Sequence, residues 1–275
     1  MPTATRLIAV PGGHLNVVID GEGPPILLVH AGIVDLRAWD ELVPRLVAAG
    51  HRVIRYDCRG FGSSTTSDVQ YSNRADLRAV LDANGVERAV IVGNSRGAMI
   101  ALDTILETPE RAAAFVWVGG GIGGFEGRAS VEELALFETA DAAEEAHDIE
   151  TLVDLEVRIW VDGVGQPATR VPAQIREAVR AMDLPLLNPD RITGTPVPLG
   201  WSANDRLGEI QVPVLAVVGA LDVLGTREAA IRLEAAVPTA RRVEIPDVAH
   251  MVGMEAPGQL ADLIIDFVRP LGAWA

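Results

Sequence analysis

Short apolar runs alternate with helix-periodic segments along most of this 275-residue chain. Six of the runs lack the polar alternation of a half-exposed strand, so they predict strands buried on both faces of a parallel sheet. They cover residues 26–30, 52–57, 89–94, 114–119, 213–219 and 241–246. Helical patterns occupy residues 36–49, 73–84, 97–107, 227–236 and 257–271. Together they predict βαβ alternation.

Two further strands precede the first buried run, at residues 6–10 and 15–20, and they are joined through Gly12 and Gly13. A glycine turn between two such runs is typical of an antiparallel hairpin. The chain therefore predicts an α/β fold with a mostly parallel, eight-stranded, doubly wound sheet.

The alternation breaks in the middle of the chain, where helical patterns follow one another without a strand between them. Ser130 and Glu133 have the spacing of a capping box, which indicates a helix start. Residues 125–162 carry 12 acidic residues and 2 arginines. We therefore predict an inserted, acidic helical cap, called here the cap segment (residues 125–204). The core is then formed by residues 1–124 and 205–275.

The composition argues against several classes of function. A net charge of −15 is unsuited to binding nucleic acid or an anionic membrane surface, and the charge of the cap segment indicates either a solvated face or a field that disfavours anionic substrates. All 23 basic residues are arginine, which excludes a lysine Schiff base, pyridoxal-phosphate chemistry and a Walker-type phosphate site.

The single cysteine and the beginning of the chain bear on cellular location. Cys58 is the only cysteine, so it forms neither an internal disulfide nor a thiolate zinc cluster, and it suits a reducing compartment. The first ten residues lack an export signal, and the longest uncharged apolar run is far shorter than a membrane helix. We expect a cytoplasmic protein.

The stretch IVGNSRGAM, residues 91–99, carries the first candidate for catalysis. Ser95 lies between a predicted strand and a predicted helix, and residues 93–97 match G-x-S-x-G in the strand–turn–helix context that the motif requires. Glycines two residues either way permit a sharp turn that exposes the serine hydroxyl. The pattern predicts a nucleophile, and a merely structural turn is the alternative.

A serine nucleophile needs a base and an acid that orients the base. His250 follows the last predicted strand, at the carboxyl edge of the sheet where open α/β folds place their sites. Asp222 follows the strand that ends at Gly219, although a lone aspartate there is often a helix cap. The order Ser95, Asp222, His250 is that of an α/β-hydrolase triad. Asp247 is the competing carboxylate.

Acyl transfer also needs backbone N–H groups that stabilise an oxyanion. The turn after the third strand supplies Gly32, and the residue after the nucleophile supplies Arg96. In this prediction Arg96 contributes its backbone N–H group rather than its charge.

The loop YDCRGFGSS, residues 56–64, matches the D-x-R-G-x-G-x-S pattern that follows the fourth strand of α/β-hydrolases. With the serine turn and the triad order, the chain resembles the α/β-hydrolase fold superfamily over nearly its whole length, with the cap inserted after the sixth strand. Two positions depart from the usual pattern: Ala31 replaces the glycine of a His-Gly pair, and Ala98 replaces a further glycine.

Within the superfamily the chain resembles small esterases and enol-lactonase-like hydrolases. This resemblance implies hydrolysis of a small carboxylic ester or lactone through an acyl-enzyme, without cofactor or metal. Residues 158–163, RIWVDG, are similar to a cap segment of that group, and core packing is the alternative for its tryptophan. The expected pocket residues are Asn94, Ile122, Trp160 and Met251.

Several alternatives stay open at this point. The same triad serves hydrolases of carbon–carbon bonds in diketones, and the same fold serves non-catalytic receptors. Dehalogenases and epoxide hydrolases of this fold attack with aspartate, which Ser95 argues against. Gly119, Gly121 and Gly124 match G-x-G-x-x-G, but no helix begins immediately after them to bind a pyrophosphate, so a gate or floor of the pocket is expected. The substrate and the oligomeric state are left open.

Overall fold

The predicted alternation of strands and helices is present in the computed structural model, which describes residues 4–272 and 274. The strands are β1 (Ala4–Val10), β2 (Gly13–Asp20), β3 (Pro25–Val29), β4 (Arg52–Tyr56), β5 (Thr65–Thr66), β6 (Gln70–Tyr71), β7 (Ala89–Asn94), β8 (Ala112–Val118), β9 (Thr195–Pro196), β10 (Val214–Gly219) and β11 (Ala240–Ile245). The α-helices are α1 (Val43–Ala48), α2 (Asn73–Ala83), α3 (Arg96–Glu107), α4 (Val131–Glu145), α5 (Ile149–Val157), α6 (Ala173–Asp183), α7 (Leu224–Ala236), α8 (Val252–Glu255) and α9 (Pro257–Val268).

The main sheet has the order β1-β2-β4-β3-β7-β8-β10-β11, with the two-residue strand β5 paired to β2 as a ninth. The β1–β2 and β2–β4 pairs are antiparallel, and the remaining pairs along this order are parallel. The predicted fold class is therefore confirmed. A second, two-stranded sheet pairs β6 with β9. The prediction of no strand within the cap segment is wrong at this point, because a two-residue strand is too short for a periodic pattern.

Five of the six apolar strands are buried on both faces along most of their length, as their lack of polar alternation predicts. The prediction is wrong for β11, because it is the edge strand of the sheet and only its Ile245 is buried. Every residue of β3 is buried, and alternate side chains enter different clusters: Leu27 and Val29 pack in the cluster that includes α2 and α3, whereas Ile26 and Leu28 pack in the cluster that includes α1 and α9. Full burial of one such side chain contributes about 1.5–3 kcal/mol. The apolar clusters on the two faces of the sheet therefore hold the carboxyl ends of its strands in place.

Two predicted helices are shorter than expected because proline interrupts them. The segment 36–49 is divided into a 3₁₀ helix, Leu36–Trp39, and helix α1, whose first turn contains Pro44. Helix α9 ends at Val268, and a 3₁₀ turn that contains Pro270 follows it. Proline lacks the N–H group that would continue the α-helical hydrogen bonds, so it starts or ends a helix.

The loop of residues 56–64 braces the neighbouring segments through its polar side chains. The Asp57 carboxylate accepts hydrogen bonds from the backbone N–H groups of Leu36 at 2.9 Å and Ser63 at 2.8 Å. A Cβ at Gly62 would lie 2.3 Å from Asp57 Oδ2, so that position requires glycine. Arg59 pairs with Asp76 through Nε at 2.9 Å and Nη2 at 2.7 Å. The motif thus holds the loops beside the candidate site.

The cap segment rests on the core through an apolar face. The predicted capping box is present, since Ser130 Oγ accepts from Glu133 N and Glu133 Oε2 accepts from Ser130 N. One cluster joins side chains of the cap segment to the loop after β3 and to the residue after His250; it contains Val157, Val161, Val171, Val179 and Met182 together with Ala31, Val34, Ala38 and Met251. Among the described residues no helix combines the length and apolarity needed to cross a bilayer.

Two carboxyl groups meet inside the cap segment. Asp183 is buried, and its Oδ2 atom and the Oε2 atom of Glu156 have no donor among the described residues. Burial raises the pKa of Asp183 to about 9, and the adjacent Glu156 adds to the shift. A proton held by one carboxyl group satisfies both oxygens, so the folded protein keeps a proton that the unfolded chain releases near its ordinary pKa.

This pair predicts that stability falls as the pH rises. Between the ordinary aspartate pKa, about 4, and about 9, the folded state binds more protons than the unfolded state, so the free energy of unfolding decreases with pH. Asp183→Asn supplies an amide donor to Glu156 and should flatten that decrease. Urea unfolding between pH 5 and 9 measures it, with Asp141→Asn, at an exposed position of α4, as the charge-matched control. Parallel pH profiles for wild type and Asp183→Asn would contradict the shared proton.

Candidate active site

Ser95 is held in a strained conformation between β7 and α3. Its φ of 54° and ψ of −118° lie outside the regions that residues with a side chain normally occupy, at a cost of about 1–3 kcal/mol. Serine before a helix usually accepts a hydrogen bond from the first turn, but the Ser95 hydroxyl does not cap α3. Its hydroxyl is therefore not used by the helix.

The two glycines of the motif permit the close packing of this turn. A Cβ at Gly93 would lie 2.4 Å from the carbonyl oxygen of Gly97, and a Cβ at Gly97 would lie 2.2 Å from the carbonyl oxygen of Val29. Both distances are far shorter than a van der Waals contact, so neither position accepts a side chain. The steric reason that predicts the turn from sequence is therefore present in the structure.

His250 and Asp222 form a buried hydrogen-bonded pair. The imidazole Nδ1 lies 2.9 Å from both carboxylate oxygens of Asp222. Asp222 Oδ1 also accepts from the backbone N–H of Val223 at 2.8 Å. A carboxylate accepts hydrogen bonds only, so the proton of a neutral imidazole is on Nδ1, and Nε2 is left able to accept a proton.

The residues beside Ser95 contact the loops of the other two candidates. The Ser95 N–H donates to Val118 O at 2.9 Å, while Asn94 Nδ2 donates to Val118 O at 3.1 Å and to His250 O at 3.3 Å. At Gly119 a Cβ would lie 3.1 Å from Asp222 Oδ2 and 3.4 Å from His250 Nδ1. The structure thus places Ser95, Asp222 and His250 around the carboxyl ends of β7, β8 and β10.

Gly32 and Arg96, the expected oxyanion donors, lie side by side. A Cβ at Gly32 would be 3.8 Å from Arg96 Cβ, and within residues 4–272 and 274 neither backbone N–H has a hydrogen-bond acceptor. The Arg96 guanidinium is directed elsewhere: Nη2 donates to Asn73 Oδ1 at 3.1 Å, and Cζ lies 4.8 Å from the centre of the Phe61 ring. The structure is consistent with a role for the Arg96 backbone rather than its charge.

His30 shapes the turn that contains Gly32, a role that the sequence pattern does not predict. Its Nδ1 lies 2.7 Å from Ala31 O, and its Nε2 accepts from the N–H of Cys58 at 2.8 Å. The bond from Cys58 joins the loop after β4 to the loop after β3, and the contact with Ala31 fixes the ring within its own loop. The His30-Ala31 pair of the sequence was the available signal for this bridge.

The four expected pocket residues occupy four different environments. Ile122 packs in the larger core cluster, and Met251 is fully buried between the core and the cap segment. Asn94 is buried and uses its amide to hold the His250 backbone. Trp160 contacts the candidate base itself, with ring centres 4.7 Å apart at 46° to His250, and its other neighbour is Phe137 at 6.1 Å.

Trp160 belongs to a π-helical segment, Arg158–Asp162, that continues α5. Such segments are rare and are frequent at functional sites. The extra residue in the turn changes the direction of the side chains that follow it. Helical spacing alone therefore does not predict that Trp160 points toward His250.

We predict that Trp160 governs substrate selectivity. Trp160→Ala removes the ring that covers one side of His250, so relative rates on large and small esters should change more than the rate on the smallest ester. The measurement is kcat/KM on a series of activated esters of increasing acyl length, with Trp201→Ala, which stacks under Arg206 outside this contact, as control. An equal loss on every ester would show that Trp160 is only a packing residue.

Glu133 gives the cap segment a second contact with the site. Its Oε1 accepts from the backbone N–H of Leu224 at 2.8 Å, two residues after Asp222. Its Oε2 completes the capping box of α4. The sequence predicts only the capping box, because nothing in the local pattern indicates a partner 91 residues away.

The glycine-rich stretch after β8 lies against two residues of the candidate site. Gly119 (φ 51°) lies against Asp222 and His250, and a Cβ at Gly121 would be 3.1 Å from Met99 Sδ. The next α-helix, α4, begins only at Val131. A helix N-terminus is therefore not available directly after the glycines.

Comparisons with known proteins place the chain beside hydrolases. The sequence model of the alpha/beta hydrolase fold family matches residues 24–257. The chain is 31% identical to the rhodomycin D methylesterase of Streptomyces peucetius, over 91% of this chain and 92% of that protein. It is 27% identical to the 2-hydroxy-6-oxononadienedioate/2-hydroxy-6-oxononatrienedioate hydrolase of Comamonas testosteroni, over 93% and 90% of the two chains.

A solved structure, of Est816, described as an N-acyl homoserine lactone degrading enzyme, matches with a TM-score of 0.75. The sequence identity is 27%, and the match covers 96% of this chain and 100% of that chain. The similarity therefore extends through the cap segment as well as the sheet.

Proposed function

Since the chain belongs to the alpha/beta hydrolase fold family, we propose that this hydrolase cleaves small carboxylic esters or lactones through an acyl-enzyme formed on Ser95. The observation that carries the proposal is the strained Ser95, whose hydroxyl does not cap the helix and whose neighbour in the chain, Asn94, donates to the backbone of His250. Strain of this kind is retained where function needs it. The methylesterase and the lactone-degrading enzyme support the ester and lactone class.

In the proposed first half-reaction, Ser95 Oγ attacks the carbonyl carbon while His250 Nε2 accepts the hydroxyl proton. Asp222 holds the imidazole by Nδ1 and stabilises its charged form. The N–H groups of Gly32 and Arg96 stabilise the oxyanion. The tetrahedral intermediate then releases the alcohol, which takes the proton from Nε2 and leaves the acyl group on Ser95.

In the second half-reaction water replaces the alcohol. His250 accepts a proton from the water as its oxygen attacks the acyl carbon, and the same N–H groups bind the oxyanion again. Collapse returns the proton to Ser95 Oγ and releases the carboxylic acid. With a lactone the alcohol and the acid are parts of one product.

The charge of the cap segment favours uncharged substrates. Residues 125–162 carry 12 acidic residues and 2 arginines, and this segment contains Trp160, which lies against His250. A negative field near the site reduces the local concentration of anions. We therefore expect neutral esters and lactones to be hydrolysed faster than carboxylate-bearing analogues of the same size. High salt should reduce this difference in rate, because it screens the field.

An active-site phosphonate probe combined with peptide mapping tests the proposal. Trypsin cuts this lysine-free chain only at arginine, so Ser95 falls in the short peptide Ala89–Arg96, where it is the one hydroxyl-bearing residue. We expect turnover of short esters and lactones together with an adduct confined to that peptide. Turnover without an adduct, or an adduct on another peptide, would overturn the assignment of Ser95.

Cleavage of a carbon–carbon bond in a diketone is the second candidate. The observation that favours it is the 27% identity, over 93% of this chain, to the Comamonas testosteroni hydrolase. The same assay panel therefore includes a diketone. A kcat/KM on the diketone above that on every ester would replace the ester proposal by this one.

A further inference from the structure

Glu255 and Arg170 form a buried ion pair that the proposed mechanism does not use. Arg170 Nη2 lies 2.6 Å from Glu255 Oε2, and the side chains are 14% and 4% exposed. Glu255 ends α8 in the core, whereas Arg170 belongs to the cap segment. The pair therefore joins the cap segment to the loop that carries His250.

The Glu255 carboxylate holds the backbone on both sides of His250. Oε2 accepts from the N–H of Ala249 at 3.0 Å, and Oε1 accepts from the N–H of Met251 at 3.1 Å. The carbonyl of His250 accepts from Asn94 Nδ2 at 3.3 Å. Three hydrogen bonds thus fix the peptide groups around this residue, in addition to the bond between its ring and Asp222.

Arg170 connects the same carboxylate to the segment that contains Trp160. Its Nη2 also donates to Val161 O at 2.6 Å, and its Nε donates to Asp162 O at 2.7 Å. Its Nη1 donates to Asp247 O at 2.7 Å, on the loop before His250. One guanidinium group therefore holds the end of the π-helical segment against the histidine loop.

The Glu255–Arg170 pair differs from a surface ion pair because both charged groups have several hydrogen-bond partners in the protein. A buried charge is stable only where partners replace the lost water. Here the carboxylate has three donors and the guanidinium has four acceptors, and most of them are backbone groups that cannot rotate away. Such bonds transmit a displacement of one partner to the other.

We propose that Glu255 and Arg170 are positioning residues that hold His250 in the orientation needed by Ser95 and make this orientation depend on the seating of the cap segment. The inference rests on the proposed role of His250 as the base. Since a displacement of about 1 Å in an active site costs about 100-fold in rate, a modest rotation of the imidazole has a measurable effect.

Glu255→Gln and Arg170→Met test the two halves of the pair. Glutamine keeps the shape of Glu255 but directs an N–H₂ group toward another donor, and methionine removes the four donated bonds of Arg170. For each variant we expect kcat on the smallest activated ester to fall about 10- to 100-fold, with KM changed less than about twofold. The double variant should lose little more than the worse single variant, since the two residues act as one unit.

Arg180→Met is the matched control, because Arg180 is also an arginine of the cap segment with two carboxylate partners, Glu150 and Asp154, but it does not reach the histidine loop. It should keep the wild-type kcat. The NMR signal of the His250 Nδ1–H proton, identified by its loss in His250→Gln, reports the orientation of the ring without substrate. We expect this signal to shift or broaden in Glu255→Gln and Arg170→Met only.

Wild-type kcat together with an unchanged His250 signal in Glu255→Gln would overturn the inference. A raised KM with unchanged kcat would also overturn it, because that result indicates only that the cap segment packs less well on the core. If Glu255→Gln does not fold, Arg170→Met decides by the same criteria. Wild-type protein that neither hydrolyses esters nor reacts with the phosphonate would refute the proposed function instead. The NMR comparison would still show whether the pair positions His250.

Discussion

Replacing Ser95 by alanine is expected to abolish ester hydrolysis and phosphonate labelling while the protein stays folded. The hydroxyl does not cap α3, so its loss removes no bond that stabilises the helix. The Ser95→Ala change also leaves Gly93 and Gly97 in place, so the close packing of the turn is kept. Loss of the nucleophile from a serine protease triad costs about 10⁶ in turnover, so residual activity should lie at the background of the assay.

Ser63→Ala is the control for this experiment. Ser63 is exposed on the loop after β4, where its backbone N–H, and not its hydroxyl, donates to Asp57. It should keep full activity and full labelling. Circular dichroism and thermal unfolding establish the fold of both variants. Labelling retained in Ser95→Ala would show that another residue is the nucleophile.

The second large effect is expected at Asp222. Asp222→Asn should preserve the fold but lower kcat/KM several hundred-fold or more, since the corresponding change in a serine protease triad costs about 10⁴ in turnover. The side-chain oxygen of asparagine can still accept from the N–H of Val223, which turns its N–H₂ group toward His250 Nδ1. A donor there favours the tautomer with the proton on Nε2, which cannot act as a base.

Asp247→Asn separates this role from a general effect of a nearby carboxylate. Asp247 has φ of 57°, a conformation that asparagine also tolerates, and its backbone oxygen rather than its carboxylate accepts the bond from Arg170. The expected cost is at most about 1 kcal/mol, the value of one hydrogen bond, because the Asp247 carboxylate accepts none from the described residues. Measuring kcat/KM for both variants on one activated ester decides between them. A larger loss at Asp247 than at Asp222 would overturn the triad.

Features with a local steric or periodic cause could be predicted from the sequence. The buried strands follow from uninterrupted apolar runs, and the serine turn follows from two glycines whose Cβ positions are blocked by backbone atoms. The position of Asp222 after β10 and of His250 after β11 follows from the order of the elements. In each case the cause lies in a local pattern or in the order of elements along the chain, and both can be read without knowing which distant segments meet.

Features that depend on how two distant segments meet could not be predicted. The Arg170–Glu255 pair spans 85 residues, and the bond from Glu133 to Leu224 spans 91. The sequence does not distinguish a buried carboxylate from a solvent-exposed one. Among the many acidic residues of the cap segment, it therefore does not show which ones form buried hydrogen bonds. The resemblance of RIWVDG to a cap segment of related hydrolases places Trp160 in the expected pocket, but the contact of Trp160 with His250 depends on a π turn that periodicity does not reveal.

The π turn at Arg158–Asp162 also bears on how this segment tolerates insertions and deletions. A π turn is an α-helix with one residue added, and each residue of an α-helix advances the side chains by about 100°. Deleting one residue there would restore a regular helix and rotate Trp160 away from His250. A relative that is one residue shorter in this segment is therefore expected to present a different side chain to His250. Exchanges of this segment between relatives must keep the number of residues in the π turn.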